Sequence, residues 1–458
     1  MATHYGNMKA TFYRDFTTQQ SLNPSTGAIG GPIVFSRSTS GTYIGSDGYI
    51  KTVAANEPRF TYEYDTSGVL QYRGLYIDSQ RTSYNYFNYS EDFSQAVWTK
   101  TNSNISSTST LSPDGITNGS KIGLFSAGGN INYVLTSAGN ANTALIRQLT
   151  VSIMAKASEC QHLNIKIDNG TNTVDCYYNL STGVLGNNTN GIGAHYPSAV
   201  NQNGLQFLYK HICNMGNGWY RCILSVEDKI TVNSANYTIS FIPSSSASSL
   251  TINNTNDGIL IWGAMVDTIL TSFNYHYCFA NYIKTTGSSA SCGTETCYVS
   301  NSNATENNLL AGYSADSCSV YAEFTTPYFF IGTIVGNIIS LGATSKYNAS
   351  NTATMRINTN QNTVGYITYL YRPPGTPSYD FNAGGPVPIS ATNNKMIITN
   401  RQYAPVMTAM NGTTGTSSTS LVPQRFNTFS LGGIACYKKL FYVPTYLNSS
   451  QLIRLTTL

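Results

Sequence analysis

The sequence predicts an all-β protein, and three observations carry that prediction. Only 10% of the 458 residues are charged, against about 25% in an ordinary globular chain. The polar load falls instead on Asn, Ser, Thr, Gly and 34 tyrosines, which suit pleated surfaces and tight turns and are poor material for long helices. The second observation is period-two patterning. Leu149, Val151, Ile153 and Ala155 alternate with Thr150, Ser152 and Lys156, and the pattern returns at Leu163, Ile165 and Ile167 and at Tyr237, Ile239 and Phe241. Cys318, Val320, Ala322 and Phe324 likewise alternate with Ser319, Tyr321 and Glu323. Such alternation marks strands with one face on a core. The third is the absence of heptads and of any fixed-period repeat, which argues against a coiled-coil stalk or a long β-helix. The length suits two to four domains, and 41% hydrophobic content excludes wholesale disorder.

Charge and motifs narrow the function. The formal net charge of +4 is small and evenly spread, so nucleic acid is not an expected partner. The opening MATHYGNMKATFYRDF lacks the apolar core of a signal peptide, and no stretch has the apolar length of a membrane span. A soluble protein made in a cytoplasm, with no membrane insertion, is expected. The nine cysteines, Cys160, Cys176, Cys213, Cys222, Cys278, Cys292, Cys297, Cys318 and Cys436, are odd in number and scattered. Buried free thiols are the expectation, with a disulfide between Cys292 and Cys297, or one involving Cys278, as the alternative; zinc is not expected, because no second close pair follows. His4, His162, His195, His211 and His276 are dispersed, and no H-E-x-x-H, G-x-S-x-G or P-loop occurs. No motif points to the paired carboxylates of a glycosidase. The protein is therefore read as a non-enzyme without a cofactor.

Along the chain, residues 1–84 come first. The Ser46-Asp47-Gly48 turn separates short strands at Thr42-Tyr43-Ile44 and Tyr49-Ile50-Lys51. Glu57 and Arg59 flank Pro58 in a weakly charged stretch and are read as an ion pair fixing a turn; a general acid–base site needs at least two positioned groups, and none neighbours them. The series Arg37, Ser38, Thr42, Tyr43, then Asp47-Gly48, Asn56-Glu57-Pro58-Arg59-Phe60, Gly74-Leu75-Tyr76-Ile77-Asp78 and Arg81-Thr82 resembles an opening module widespread in tailed-phage virion proteins. It departs from that pattern with Asp78 for the usual Glu and Ser83 for the usual Asn.

Residues 85–286 hold all three tryptophans. Trp98 lies in SEDFSQAVWTK, Trp219 in NGWYRC and Trp262 in GILIWGAMVD. With SPDGITNGSKI, LTVSIMAKA and YYNLSTGVLG, these pieces resemble, in order, the jelly-roll carbohydrate-binding-like modules of phage structural proteins. The segment from Ser272 to Gly287 replaces the usual short exit ending in S-Y-I-x-T. Ile259, Leu260, Ile261, Ala264 and Met265 surround Trp262, so Trp98, Trp219 and Trp262 are expected as core anchors and not as sugar platforms. Asp257 and Asp267 flank that strand with oxygen ligands suited to a structural calcium, although their spacing demands none.

Residues 287–458 form the third segment. Its last residues, with Leu447, Asn448, Ser449, Gln451, Leu452, Leu455 and Thr456, resemble the closing strands and short helix of a concanavalin-A-like (laminin-G-like) sandwich, and Ser449 or Ser450 is the expected cap. The stretch from Tyr366 to Asp380 reads as a proline-stiffened loop. It offers Tyr366, Tyr369, Tyr371, Arg372 and Tyr379 as candidate glycan contacts, since rings stack on sugars and tyrosine loses little rotamer freedom on binding; packing in strands or at an interface is the competing reading.

Together the resemblances imply a small N-terminal β module followed by two β-sandwich, jelly-roll-like domains. They also imply a bacteriophage virion surface protein, assembled in the host cytoplasm and released by lysis. The leading expectation is a tail fibre or receptor-binding protein adhering to host-surface glycans. The alternative is a capsid decoration or head-fibre protein, and a glycan depolymerase is the third. Other virion proteins, host glycans and further copies of the chain, as a homotrimer by analogy, are the expected partners.

Overall fold

The computed structural model describes residues 4–5, 8–9, 12–22, 33–79, 82–136, 146–186, 204–229, 236–271, 281–300, 317–325, 334–342, 352–359, 364–372, 379–382, 387–388, 393–401, 405–420, 428–443 and 445–457. Apart from the closing helix Ser449–Thr457, its regular elements are strands. Residues 99–271 build a sandwich of two six-stranded sheets. Ile146–Ala157 is central to one sheet, between Trp219–Lys229 and Gly258–Thr271. In the other, Asn236–Ser244 lies between Asn130–Thr136 and His162–Asp168. The alternating sets seen in the sequence face inward: Leu149, Val151, Ile153 and Ala155 meet Leu163, Ile165, Ile167, Tyr237, Ile239 and Phe241 in one fully buried cluster. Trp98 belongs to it, with ring centroids of Phe87, Phe93 and Tyr133 each 5.0 Å or less away. Its Nε1 donates to the Tyr89 carbonyl at 3.1 Å, the partner a buried indole needs.

Trp219 and Trp262 do not share that core. They lie with Met154, Leu260, Ile50 and Tyr282 in a separate buried cluster. A register shift between Ser152 and Met154, opposite Gly263 at φ 60°, makes a bulge that sets Trp262 across from Met154. Bulges re-aim side chains in this way. The hairpin Gly41–Ile44 and Ile50–Val53 and the segment around Tyr282 cover this face of the sheet. Thr150 and Ser152 on this face are buried as well, Thr150 bonded to Ser225 Oγ and Ser152 Oγ accepting from Arg221, although alternation alone suggests solvent for that face.

The second sandwich is assembled from both ends of the chain. One eight-stranded sheet takes Ile33–Ser36 beside Thr296–Ser300. The other takes Arg59–Tyr64 and Leu70–Asp78 beside Ile434–Val443, with Phe12–Asp15 pairing the same strand. Phe12, Phe16, Phe35, Leu75 and Ile77 interleave with Val320, Ala322, Phe324, Met396, Leu440 and Tyr442 in one core. Residues 1–84, expected to stand as a separate module, thus contribute strands to the C-terminal sandwich. Their own pairings, among the described residues, are the hairpins His4–Tyr5 with Met8–Lys9 and Gly41–Ile44 with Ile50–Val53, besides Arg59–Tyr64 with Leu70–Asp78 inside the larger sheet. The first sandwich is in effect an insertion: the chain leaves through Ser83–Asn85 and returns through Ala290–Cys292, which pair with each other. At Gly74, φ is 114° and a Cβ would strike the Tyr437 carbonyl, so this join between N- and C-terminal strands requires glycine.

The helix cap also differs from expectation. Asn448 Oδ1 accepts the Gln451 N–H at 3.0 Å, and Gln451 Oε1 accepts the Asn448 N–H at 2.9 Å. That is a reciprocal capping box, with Asn448 and not a serine as the cap; Ser450 Oγ donates to the Asn448 side chain. Leu452 then packs on Tyr321 and Phe441, whose rings stack at 4.4 Å. Cys292 and Cys297 are buried free thiols, and Cys278 lies outside the described residues.

Candidate functional site

Two charged residues of the N-terminal motif, Arg37 and Arg59, serve cohesion. Glu295 Oε1 accepts Arg37 Nη1 at 2.8 Å and Arg59 Nη2 at 2.6 Å, with all three side chains 0% exposed. Its other oxygen accepts the Asp78 N–H at 2.8 Å. Arg59 also donates to the Thr42 carbonyl and to Asn281 Oδ1 and lies over the Tyr76 ring at 4.3 Å. Burial is the largest single influence on the Arg59 charge and works against it, but the Glu295 carboxylate together with Tyr76, Cys292 and Asp78 outweighs burial and raises the pKa. The Glu57–Arg59 pair expected from the sequence is replaced by this long-range one. Glu57 is exposed and fixes its turn alone, accepting the Ala54 N–H at 3.1 Å.

Beside this ionic cluster, the two sandwiches and the hairpin leave a cleft with a cavity of about 70 Å³. Tyr43, Tyr62, Glu63 and Tyr64 line it from the N-terminal strands, and Asn214 and Arg221 from the first sandwich. Tyr76 and Asn281 complete it. Glu63 Oε2 lies 3.0 Å from Arg73 Nε. Burial pushes the Glu63 carboxyl up to about 7, with Arg73 pulling the other way. Arg221 donates to Ser152 Oγ at 3.2 Å and to the Asn281 carbonyl at 3.3 Å. Tyr62 tilts against Tyr72 at 5.0 Å, and its hydroxyl accepts from Gln20. Tyr64 sits against Gly48 and Gly216, where side chains on either glycine would meet its hydroxyl. Tyr76 is only 4% exposed, and among the described residues its hydroxyl has no hydrogen-bond partner. A buried polar group left unpaired is costly and calls for an explanation.

Other candidates read from the sequence fall elsewhere. Tyr366, Tyr369, Tyr371 and Arg372 belong to the strand Val364–Arg372, and Tyr379 opens Tyr379–Asn382. Tyr371 pairs with Tyr379 and Tyr369 with Phe381. The expected loop is thus mostly the two arms of a hairpin at a sheet edge; its tip, 373–378, and these side chains lie outside the described residues. Trp219 and Trp262 are each 1% exposed, and Trp219 Nε1 donates to the Leu111 carbonyl at 2.9 Å, so neither offers a ring face to a sugar. Asp257 and Asp267 stand about 30 Å apart along one strand at the usual rise. They accept different backbone N–H groups, of Asn254 and of Thr268 and Tyr84, and cannot share the calcium entertained for them. Among the described residues no cluster of three His, Cys, Asp or Glu side chains could hold a metal.

Sequence reasoning missed Glu63, Tyr76, Arg221 and Asn281. Glu63 carried the clearest signal, an acid between two tyrosines in a chain where charge is scarce.

Sheets, cores and cleft define an all-β protein of two β-sandwiches joined at a polar, aromatic junction. No protein-family model matches the chain, and no curated protein matches it. Among solved structures, it is similar to domains LG4–5 of the mouse laminin α1 chain, at 11% identity over 67% of this chain and 88% of that chain, with a TM-score of 0.19. It is also similar to the Trypanosoma rangeli sialidase in complex with the inhibitor DANA, at 9% identity over 99% of this chain and 72% of that chain, with a TM-score of 0.25. At these scores neither neighbour extends the argument, and the strand pairings themselves define the class.

Proposed function

We propose that the protein is a bacteriophage virion surface protein that adheres to host-surface glycans without cleaving them, as a tail fibre or receptor-binding protein. The supporting observation is the ordered run of phage-type motifs from Arg37 to Trp262, in which Arg37 and Arg59 are held by Glu295. Glu295 and Glu63 are each held by arginine, whereas a glycosidase needs two facing carboxylates free to act. Tyrosines and amides at the junction supply stacking surfaces and hydrogen-bonding groups for a sugar. Copies arranged symmetrically on the particle exterior, as a homotrimer, multiply weak contacts into avidity.

A second reading is favoured by the same ionic cluster. Arg37, Arg59 and Glu295 tie three distant segments into one body, which also suits a capsid decoration or head-fibre protein. Gold-labelled antibody on intact particles separates the two: label confined to the tail supports the receptor-binding reading, and label confined to capsid faces or vertices overturns it. A glycan array probed with the full chain tests adhesion itself, and an empty array sinks that claim.

A further inference from the structure

We infer that the junction cleft is the sugar-binding site and that it takes one uncharged, hexose-sized ring. This rests on the adhesion reading and moves the binding surface away from the tyrosine hairpin. Three independent observations point to a ligand. The first is room: a cavity of about 70 Å³ holds roughly five water molecules, close to the bulk of a single pyranose.

The second is the Tyr76 hydroxyl, buried at the cleft and without a hydrogen-bond partner among the described residues. Glu63 Oε2 likewise makes no hydrogen bond among the described residues, although it faces Arg73 Nε at 3.0 Å, whereas Arg221 and the amides of the lining are engaged by the protein. Arg221 holds Ser152 and the Asn281 carbonyl, Asn281 Oδ1 holds Arg59, and Asn214 Oδ1 accepts the Gly216 N–H at 2.8 Å. A sugar hydroxyl, both donor and acceptor, is the chemistry that satisfies a phenol from either side.

The third is charge. The cleft carries one guanidinium, Arg221, and one carboxyl, Glu63, and each is engaged by protein groups. An anionic sugar would meet the Glu63 carboxylate with no unassigned cation to offset it, whereas a neutral ring meets tyrosine faces and hydrogen-bonding groups. The tyrosines come from strands of the N-terminal segment and Arg221 from the inserted sandwich, so the site exists only when the two sandwiches are docked.

The test uses the full chain, a glycan array, and titration with the free methyl glycosides of glucose, galactose, mannose and N-acetylglucosamine, with N-acetylneuraminic acid as the charged comparison. Neutral glycosides are expected to bind in the millimolar range. Tyr76→Phe is expected to weaken binding about tenfold, the loss of one hydrogen bond, while leaving the melting temperature unchanged or higher, because the hydroxyl has no hydrogen bond among the described residues to lose. Tyr371→Ala is expected to bind as wild type. Equal affinity in wild type and Tyr76→Phe, with Tyr371→Ala impaired, overturns the cleft and leaves adhesion standing at the hairpin. Preference for the acidic sugar overturns the ligand class. An array empty for the wild type removes the adhesion reading and the cleft assignment with it.

Discussion

Arg59 and Glu295, 236 positions apart in the chain, meet at 2.6 Å in an ion pair from which solvent is fully excluded. Arg37 joins the same carboxylate oxygen at 2.8 Å. One acid thus balances two arginines at the point where N-terminal strands, returning chain and inserted sandwich converge. Removing it strands two buried cations. Glu295→Ala is expected to destabilise by about 3–5 kcal/mol, read as a shifted denaturant midpoint. Arg37→Met on its own leaves the Glu295–Arg59 pair intact and is expected to cost less; an equal or greater loss would contradict the arrangement.

Gly74 permits the close approach of Leu70–Asp78 to Ile434–Val443. Gly74→Ala adds a strained φ and a backbone collision, together worth about 3 kcal/mol or more. Limited proteolysis is expected to cut the N-terminal strands of the variant first, since they depend on this pairing. Unchanged protection would show that the strand tolerates a side chain.

Glu63 makes stability fall as pH rises. Burial raises its carboxyl from 4.5 to about 7, so between those values the folded state binds more proton than the unfolded one. The stabilisation is complete below about pH 4.5 and is lost as pH climbs through 7. With 14% of the side chain exposed, water shares the field, and about 1–2 kcal/mol is the expected span. Glu63→Gln is expected to remove that slope from melts taken between pH 5 and 8. A wild-type slope matching the variant's would refute the assignment.

Asn448 caps the closing helix through a reciprocal pair with Gln451. Asn448→Ala is expected to cost about 1 kcal/mol, and Ser449→Ala or Ser450→Ala less than half of that. Chemical denaturation of the three variants ranks them, and equal losses would return the cap to a serine.

Trp98 and Trp219 anchor different places. Trp98→Ala opens the interior of the first sandwich and is expected to cost about 3–5 kcal/mol. Trp219→Ala loosens the face under the Gly41–Val53 hairpin, so faster amide exchange at Ile44 and Ile50 is its expected signature. Trp98→Ala speeding exchange at those two residues ahead of its own sandwich would argue against two separate clusters.

The alternating sets at Leu149–Ala155, Leu163–Ile167 and Tyr237–Phe241 were legible because a strand's pleat writes its buried face into the order of residues. The turn at Asp47-Gly48 was legible because only a few residues accept its backbone angles. Burial of Thr150 and Ser152 was not legible, because a polar residue bonded to partners distant in sequence looks, in the pattern alone, like one facing water. Nor was the partner of Arg59: Glu57 stood two residues away, and nothing local marked Glu295. Glu63 and Tyr76 could be read as strand residues but not as neighbours of Arg221.

The sequence by itself determined the all-β class, the strand faces and the buried tryptophans, because these follow from local periodicity and side-chain size. Only the tertiary structure decided that residues 1–84 complete the C-terminal sandwich, that the first sandwich is an insertion, and that a cleft lies at the junction. Those features depend on pairings between segments hundreds of residues apart, and backbone hydrogen bonds between strands leave no record in the sequence of which partner each edge will take.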